Sequence, residues 1–296
     1  MVTLNEEFIL KKQNICKHEL SNLITLKLNF NHLTSIEADS FESLTSLRNL
    51  SLNKNDLKSL DPRTFSSLLN LRVLSLYDNR LEMVHSDLFQ FSINLTELNL
   101  GRNKLMQINP HTFHGLMNLK VLNFSENKLK SLDARTFEST VNLCTLILAS
   151  NALESIEANT FNTLKHLTEL DLSNNSLVRI DAPTFDGLKN LKFLYLNNNN
   201  IKSLDESTFC SLSNLTTLSL EDNEVLHLTQ FMFKGLKMLK KIYLRNNKFN
   251  ENKLELYLEP NVEHVSFKKS VNSQYGDNNI KDVVITILIN FSSFLG

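Results

Sequence analysis

Tryptophan is absent from this chain of 296 residues, and cysteine, glycine and proline are scarce. The three cysteines, Cys16, Cys144 and Cys210, lie far apart. They therefore form neither a disulfide framework nor the closely spaced set of four ligands that a structural zinc needs. The 6 Gly exclude a collagen-like protein. With 42% hydrophobic and 21% charged residues, the composition is that of a folded globular protein.

The chain also lacks an excess of charge of one sign and a long hydrophobic run. Its 31 Lys and Arg nearly balance 32 Asp and Glu. Proteins that bind nucleic acid usually carry a large positive excess, so we expect no nucleic-acid partner. The longest apolar stretch, residues 283–295, is shorter than a membrane span, which needs about 20 residues. We therefore expect no membrane-spanning segment in this chain. Residues 1–10 lack the apolar core of a signal peptide.

Asparagine, by contrast, is abundant, with 39 copies, and much of it follows a strict period. In blocks of 24 from Leu23, nine complete blocks span residues 23–238, and a tenth fades after Phe249. Positions 1, 4, 6, 11, 14 and 19 of each block are apolar. Position 9 is always Asn: Asn31, Asn55, Asn79, Asn103, Asn127, Asn151, Asn175, Asn199, Asn223 and Asn247. Position 19 is Phe in every complete block: Phe41, Phe65, Phe89, Phe113, Phe137, Phe161, Phe185, Phe209 and Phe233.

This period predicts a stack of coils. Apolar residues at positions 4 and 6 indicate one short strand per block with a single buried face. Parallel strands need a crossover connection, which takes the rest of the block. One coil cannot bury its own leucines, but stacked coils bury them against each other. The amide of the position-9 Asn has two donor hydrogens and an acceptor oxygen, so we interpret the ten asparagines as a structural ladder that satisfies turn backbone groups.

The consensus LxxLxLxxNxLxxLxxxxFxxLxx resembles the leucine-rich repeat family, in its 24-residue typical subclass. The resemblance implies an α/β-type solenoid curved as a horseshoe, with a parallel β-sheet on the concave face. Irregular and 3-10 segments with a spine of Phe side chains should form the convex face. Ectodomains of Toll-type receptors, adhesion proteins and small proteoglycans are similar.

The expected domains are an N-terminal flank with a decayed repeat end (1–22), the solenoid (23–249), and a degenerate repeat with a C-terminal tail (250–296). Residues 262–267 resemble an eleventh strand, and residues 268–282 read as a loop. Extracellular members of the family usually have cysteine-rich caps at both ends, and this chain has neither. The missing caps indicate either a fragment of a longer ectodomain or a divergent protein with polar ends.

Motifs of catalysis and cofactor binding are not found. The sequence has no G-x-S-x-G, no phosphate-binding glycine loop and no H-E-x-x-H. His111 and His114 form an H-x-x-H pair without a third ligand fixed beside them, and we interpret them as solvated. We therefore expect no catalytic, cofactor or metal site, and a protein that is not an enzyme.

Solvent-facing strand positions should form a rigid surface, and in solenoids the concave surface commonly binds the partner. Its mixed charges favour a folded protein ligand over a polyanion. Aromatic and Arg side chains dominate interface hot spots, and aromatic residues at the solvent-facing strand positions 3 and 5 lie in repeats 8 and 10. The predicted protein-binding residues are Lys192, Phe193, Tyr195, Glu221, Asp222, Tyr243 and Arg245.

Two functions stay open. The resemblance implies an extracellular or cell-surface recognition module, engaged in signalling or adhesion, that binds a protein ligand. An intracellular, cytoplasmic scaffold would instead suit the polar N-terminus and the unpaired cysteines. If the chain is secreted, the sequons within the repeats are candidate glycosylation sites. These are Asn49, Asn94, Asn123, Asn174 and Asn214.

Overall fold

An eleven-stranded parallel sheet dominates the computed structural model, which describes residues 2–13, 16–249, 255–258, 260–266 and 286–289. Neighbouring strands follow chain order across the sheet. The strands are Thr25–Lys27, Asn49–Ser51, Val73–Ser75, Glu97–Asn99, Val121–Asn123, Thr145–Ile147, Glu169–Asp171, Phe193–Tyr195, Thr217–Ser219, Lys241–Tyr243 and His264–Ser266. This arrangement confirms the predicted parallel-sheet solenoid, with one strand for each coil.

The register of the sheet follows the 24-residue period. Leu170 pairs with Leu194, which pairs with Leu218. The last pairing is one residue shorter, since Lys241 lies opposite His264. The central residue of each repeat strand is buried, as for Leu170 at 0% exposure, while its neighbours on either side face the concave surface. A slip of one residue would turn every leucine to solvent, which explains why the register is so regular.

The return segments bury a column of phenylalanine rings. All nine position-19 phenylalanines are at most 1% exposed. The ring of Phe137 stacks between those of Phe113 and Phe161, at centroid distances of 6.4 and 6.1 Å. The return segments are mostly turns, with a 3-10 helix at Ala182–Phe185 and a small parallel pairing of Arg179–Ile180 with Ser203–Leu204. The column fills the convex side of the core.

The N-terminal flank packs against the first coil. The strand Val2–Leu4 pairs in parallel with Leu33–Ile36, and the helix Glu6–Gln13 and the 3-10 helix Lys17–Asn22 follow it. Leu4, Ile9 and Leu20 are at most 1% exposed. The flank thus covers the end of the core without a disulfide, since Cys16 is a free, exposed thiol. The sequence reasoning did not predict this helix.

The C-terminal flank contains one further pairing, of Glu255–Leu258 with Thr286–Ile289 in parallel. Leu256 and Leu258 are buried. The strand His264–Ser266 lies within the segment 262–267 that resembles an eleventh strand. The predicted loop at 268–282 lies outside the described residues, and the three-part division of the chain stays a prediction. Within the described ranges, the helices are all too short or too polar to cross a bilayer.

Candidate protein-binding site

The position-9 asparagines hold the strands that carry the site. Asn127 is 8% exposed. Its Oδ1 accepts from the Leu105 N–H of the preceding coil at 3.0 Å, and its Nδ2 donates to the Leu100 and Phe124 carbonyls, both at 3.0 Å. The same bridge recurs from coil to coil, and Asn31 in the first coil bonds instead to its own turn. The ladder therefore joins neighbouring coils as well as satisfying turns.

The first ten strands of the sheet are each followed by a residue with positive φ at position 8, where the chain turns away from the sheet, and five of these ten residues are Asn or Asp. Asp222 has a φ of 53° and Asn246 a φ of 55°. L-residues other than Asn and Asp rarely adopt this conformation. Asn246 Nδ2 donates to the Asp222 carboxylate at 2.6 Å. The predicted site residue Asp222 thus bonds to the equivalent turn residue of the next coil.

The concave face contains an open depression of about 460 Å³ between the strands of repeats 8 and 10. We call it the aromatic slot. Its lining residues are Phe193, Tyr195, Asn197, Thr217, Ser219, Glu221, Lys241 and Tyr243. Phe193, Tyr195, Glu221 and Tyr243 were predicted from the sequence, and the structure brings these four together.

The slot exists because small residues separate the aromatic ones. Tyr195, Ser219 and Tyr243 occupy the same register position on three adjacent strands. The tyrosines are thus two strand spacings apart, about 10 Å, with only a serine hydroxymethyl between them. Ser219 is 6% exposed and forms the floor. The His264 ring lies 5.2 Å from the Tyr243 ring and supports it from the other side.

A close ion pair lies at the end of the slot. Arg245 Nε is 3.0 Å from Glu221 Oε1, and the side chain of Glu221 is 16% exposed. The distance is that of an ion pair, but the Nε–H is not aligned for a hydrogen bond. Arg245 therefore contributes through Glu221 rather than as part of the lining. Lys192 directly precedes the strand Phe193–Tyr195 and is exposed outside the slot.

Sequence reasoning missed Asn197, Thr217, Ser219 and Lys241. Of repeat 9, which lies between the aromatic residues, only Glu221 and Asp222 were predicted to belong to the site. The signal was the small residues at positions 3 and 5 of repeat 9, with bulky residues at the same positions on both sides. The assignment of the predicted residues to binding stays a prediction.

Burial raises the pKa of Tyr195 above its ordinary range, and the negative charges of Glu169 and Asp171 raise it further. The unfolded chain would lose this proton first, so the stability tied to it is present below the ordinary tyrosine pKa and is lost as pH rises through the raised one. Over the neutral range the Tyr195 hydroxyl stays protonated and available as a donor.

Replacing Asp171 by Asn should lower the pKa of Tyr195, because it removes one of the two nearby carboxylate charges. The ring-carbon NMR shift of Tyr195, assigned with Tyr195→Phe, would follow its ionisation. Glu97→Gln is the matched control: its strand is four spacings away, about 19 Å, beyond the Debye length of about 8 Å at physiological salt. Equal shifts in both variants would contradict the electrostatic assignment.

The candidate glycosylation sites differ in position. Asn94, Asn174 and Asn214 have exposed side chains, whereas Asn49 and Asn123 are half-buried on the sheet face. Asn94 Nδ2 donates to the Leu69 carbonyl and Asn214 Nδ2 to the Lys189 carbonyl, at 2.9 and 2.8 Å. A glycan at either site would project from the edge of the coils, away from the aromatic slot.

The remaining candidate residues for chemistry are the histidines, the cysteines and the acidic side chains. No group of three or more His, Cys, Asp or Glu there could hold a metal ion. His111 and His114 are both exposed. Cys144 and Cys210 are free thiols, as is Cys16.

The leucine rich repeat family model matches residues 12–57, 45–105, 93–146, 141–201 and 190–249. The chain therefore belongs to the leucine-rich repeat family. No curated protein sequence matches it.

Solved structures share the fold. A leucine-rich repeat protein of Leptospira interrogans is 28% identical, with a TM-score of 0.66 over 90% of this chain and 70% of that one. A chain of the TLR13–ssRNA13 complex is 24% identical, with a TM-score of 0.73 over 87% of this chain. A chain of the Drosophila Toll–Spatzle complex is 21% identical, with a TM-score of 0.61 over 84% of this chain. This chain spans 42% of each of the latter two.

Proposed function

We propose that the chain is a non-enzymatic recognition module that binds a protein ligand on its concave face, with the aromatic slot at the centre of the contact. The observation that carries the proposal is the pair of tyrosines held about 10 Å apart over a serine floor. That gap admits one side chain or peptide plane between two rings. Aromatic pockets of this kind, rimmed by charges, are typical of interface hot spots.

The charges around the slot favour a protein over a nucleic acid. Glu169 and Asp171 act on Tyr195 from one side, and Glu221 lies at the end of the slot. Three carboxylates would repel a phosphate backbone, although Lys241 also lines the slot. The fold resembles that of a protein solved with single-stranded RNA, but the chain carries 31 basic against 32 acidic residues.

We further propose that the module acts at the cell surface or outside the cell, in ligand recognition of the receptor type or in adhesion. The support is the likeness to Toll–Spatzle and TLR13 chains. Three free cysteines favour the alternative, an intracellular scaffold or adaptor. Treating the protein from its native cells with an endoglycosidase distinguishes the two. A mass shift traced to exposed Asn94 or Asn214 supports secretion, and unmodified sequons favour the scaffold.

Replacing Tyr195 or Tyr243 by Ala should weaken binding of the protein ligand by about 1–3 kcal/mol each. Neither side chain belongs to the buried core, whose strand positions are filled by Leu194 and Ile242, so the thermal midpoint should hardly change. Ligands can be selected from a displayed library of random peptides on immobilised wild-type protein. Their affinities are then measured against both variants by calorimetry.

Tyr77→Ala is the matched control, because Tyr77 is a half-buried concave-face tyrosine in repeat 3, far from the slot. It should leave the affinity unchanged. If the selected peptides bind the Tyr195 and Tyr243 variants as tightly as the wild type, the slot is not the centre of the binding face. Loss of folding in either variant would contradict the structural argument.

A further inference from the structure

A row of exposed apolar side chains runs along the lateral edge of the solenoid, outside the sheet. Its members occupy position 23 in four consecutive coils: Leu69, Ile93, Met117 and Val141, which are 55, 54, 60 and 38% exposed. The same position in the other coils holds Thr45, Lys165, Lys189, Ser213 and Lys237. The fold therefore does not need an apolar residue there. We call these four side chains the apolar row.

The backbone beneath the apolar row is fixed by a second asparagine ladder. Asn94 Nδ2 donates to the Leu69 carbonyl at 2.9 Å, and Asn118 Nδ2 to the Ile93 carbonyl at 2.9 Å. Asn142 continues the ladder to the Met117 carbonyl at 2.8 Å. The carbonyls are thereby satisfied, and the apolar side chains are presented to solvent at a fixed spacing. Little entropy would be lost when a partner binds such a preordered surface.

A basic row lies beside the apolar row. Arg48, Arg72 and Lys120 occupy position 2, three residues after position 23, and are exposed; Thr96 holds the same position between Arg72 and Lys120. Three residues span at most about 10 Å even when fully extended, and the turn that the Leu71 N–H closes with the Leu68 carbonyl shortens this distance. The two rows therefore lie within the width of one α-helix with its side chains. None of the ion pairs formed within the described residues involves these three cations. Their charges are left available to a partner.

We propose that the apolar row and the basic row together form a docking surface for an acidic amphipathic helix of a partner protein. Coils repeat about every 4.8 Å and a helix every 5.4 Å. One apolar residue per turn, at i, i+3 or i+4 and i+7, can therefore contact one apolar residue per coil. The row spans about 15 Å, or roughly three turns. Acidic residues along one flank of the helix would face the three cations.

The dimensions favour a helix over a second copy of the chain. The apolar row is one side chain wide and four coils long, and its Lys-bearing continuation would repel an identical row. Stable protein pairs bury about 800 Å² on each side, far more than four side chains offer. This surface also lies away from the aromatic slot, so the inference does not rest on the proposed function.

The test is a fluorescent peptide of about 14 residues with Leu at one position per turn and Glu on the flanking face. Fluorescence anisotropy would follow its binding to the full chain without glycans, because a glycan on Asn94 would cover the apolar row. Binding should weaken about tenfold or more in Met117→Lys and in Arg72→Glu, and with rising salt. Met117→Lys places at this position the residue found at Lys165 and Lys189, so folding should survive. Lys189→Ser, outside the row, should bind as wild type does.

Two further probes decide between partners. A peptide with Lys in place of Glu should bind at least tenfold more weakly, because the basic row would repel it. Vesicles of phosphatidylcholine and phosphatidylserine should not bind, and binding that is lost in Met117→Lys would assign the surface to a membrane instead. The proposal is overturned if the acidic peptide does not bind, if Met117→Lys leaves its affinity unchanged, or if wild-type protein forms dimers that this variant abolishes.

Discussion

Replacing Asn127 by Ala should lower the free energy of unfolding by roughly 2–4 kcal/mol. The Leu105 N–H would lose the acceptor at 3.0 Å and remain buried without a partner. The Leu100 and Phe124 carbonyls would each lose one of two amide donors, since Asn103 and Asn151 also bond to them. The carbonyls therefore lose less than the N–H does. Urea denaturation followed by circular dichroism measures the change.

Asn118→Ala is the matched control, because Asn118 belongs to the exposed position-24 ladder and makes one bond, to the Ile93 carbonyl. The chain already has His166 and Met238 at that position. Losing the hydrogen bond from Asn118 should cost less than about 1 kcal/mol, since water replaces the amide as donor to the Ile93 carbonyl. Equal destabilisation by the two variants would show that burial does not determine how much each ladder hydrogen bond contributes to the free energy of unfolding.

The repeats could be predicted from sequence because the same residue types recur at the same positions in every coil. A buried leucine at positions 4 and 6 sets strand and face, and the position-9 Asn marks the turn. The second ladder carried a comparable signal, Asn at position 24 in six of the coils. It was overlooked because it stands on the surface, where nothing in the hydrophobic pattern points to it. Its members are Asn70, Asn94, Asn118, Asn142, Asn190 and Asn214.

The N-terminal flank was harder to predict for a physical reason. The helix Glu6–Gln13 is only eight residues long and buries one side chain completely, Ile9. Short helices are marginal in water and depend on tertiary contacts, here with the first coil. Such contacts involve residues that do not repeat, so periodicity says nothing about them.

The location of the candidate site could be predicted from the sequence, but its shape could not. Aromatic residues in repeats 8 and 10 placed the patch, because strand order and side-chain alternation follow from the period. The shape of the patch required knowing that Thr217 and Ser219 lie between them as a floor. It also required the pairing of Arg245 with Glu221, which holds Arg245 out of the lining. Side-chain conformations of this kind are not specified by a repeat pattern.

The largest loss of stability should come from Phe137→Ala, at about 3–5 kcal/mol. Phe137 is 0% exposed and stacks with Phe113 and Phe161 on either side. Truncation removes the buried ring and leaves a cavity. The neighbouring coils cannot close it, because strand pairing and the asparagine ladder fix their spacing. Because coils contact only their neighbours, the damage should also uncouple the two halves of the stack. Urea denaturation should then show a broadened or two-step transition.

Two other variants separate the cavity from the loss of an aromatic group. Phe137→Leu keeps most of the buried volume and should cost only about 1–2 kcal/mol. Phe91→Ala removes the same atoms from a side chain that is 46% exposed, so no cavity forms and the loss should stay below about 1 kcal/mol. If Phe91→Ala destabilises the protein as much as Phe137→Ala does, ring burial in the column is not what holds neighbouring coils together.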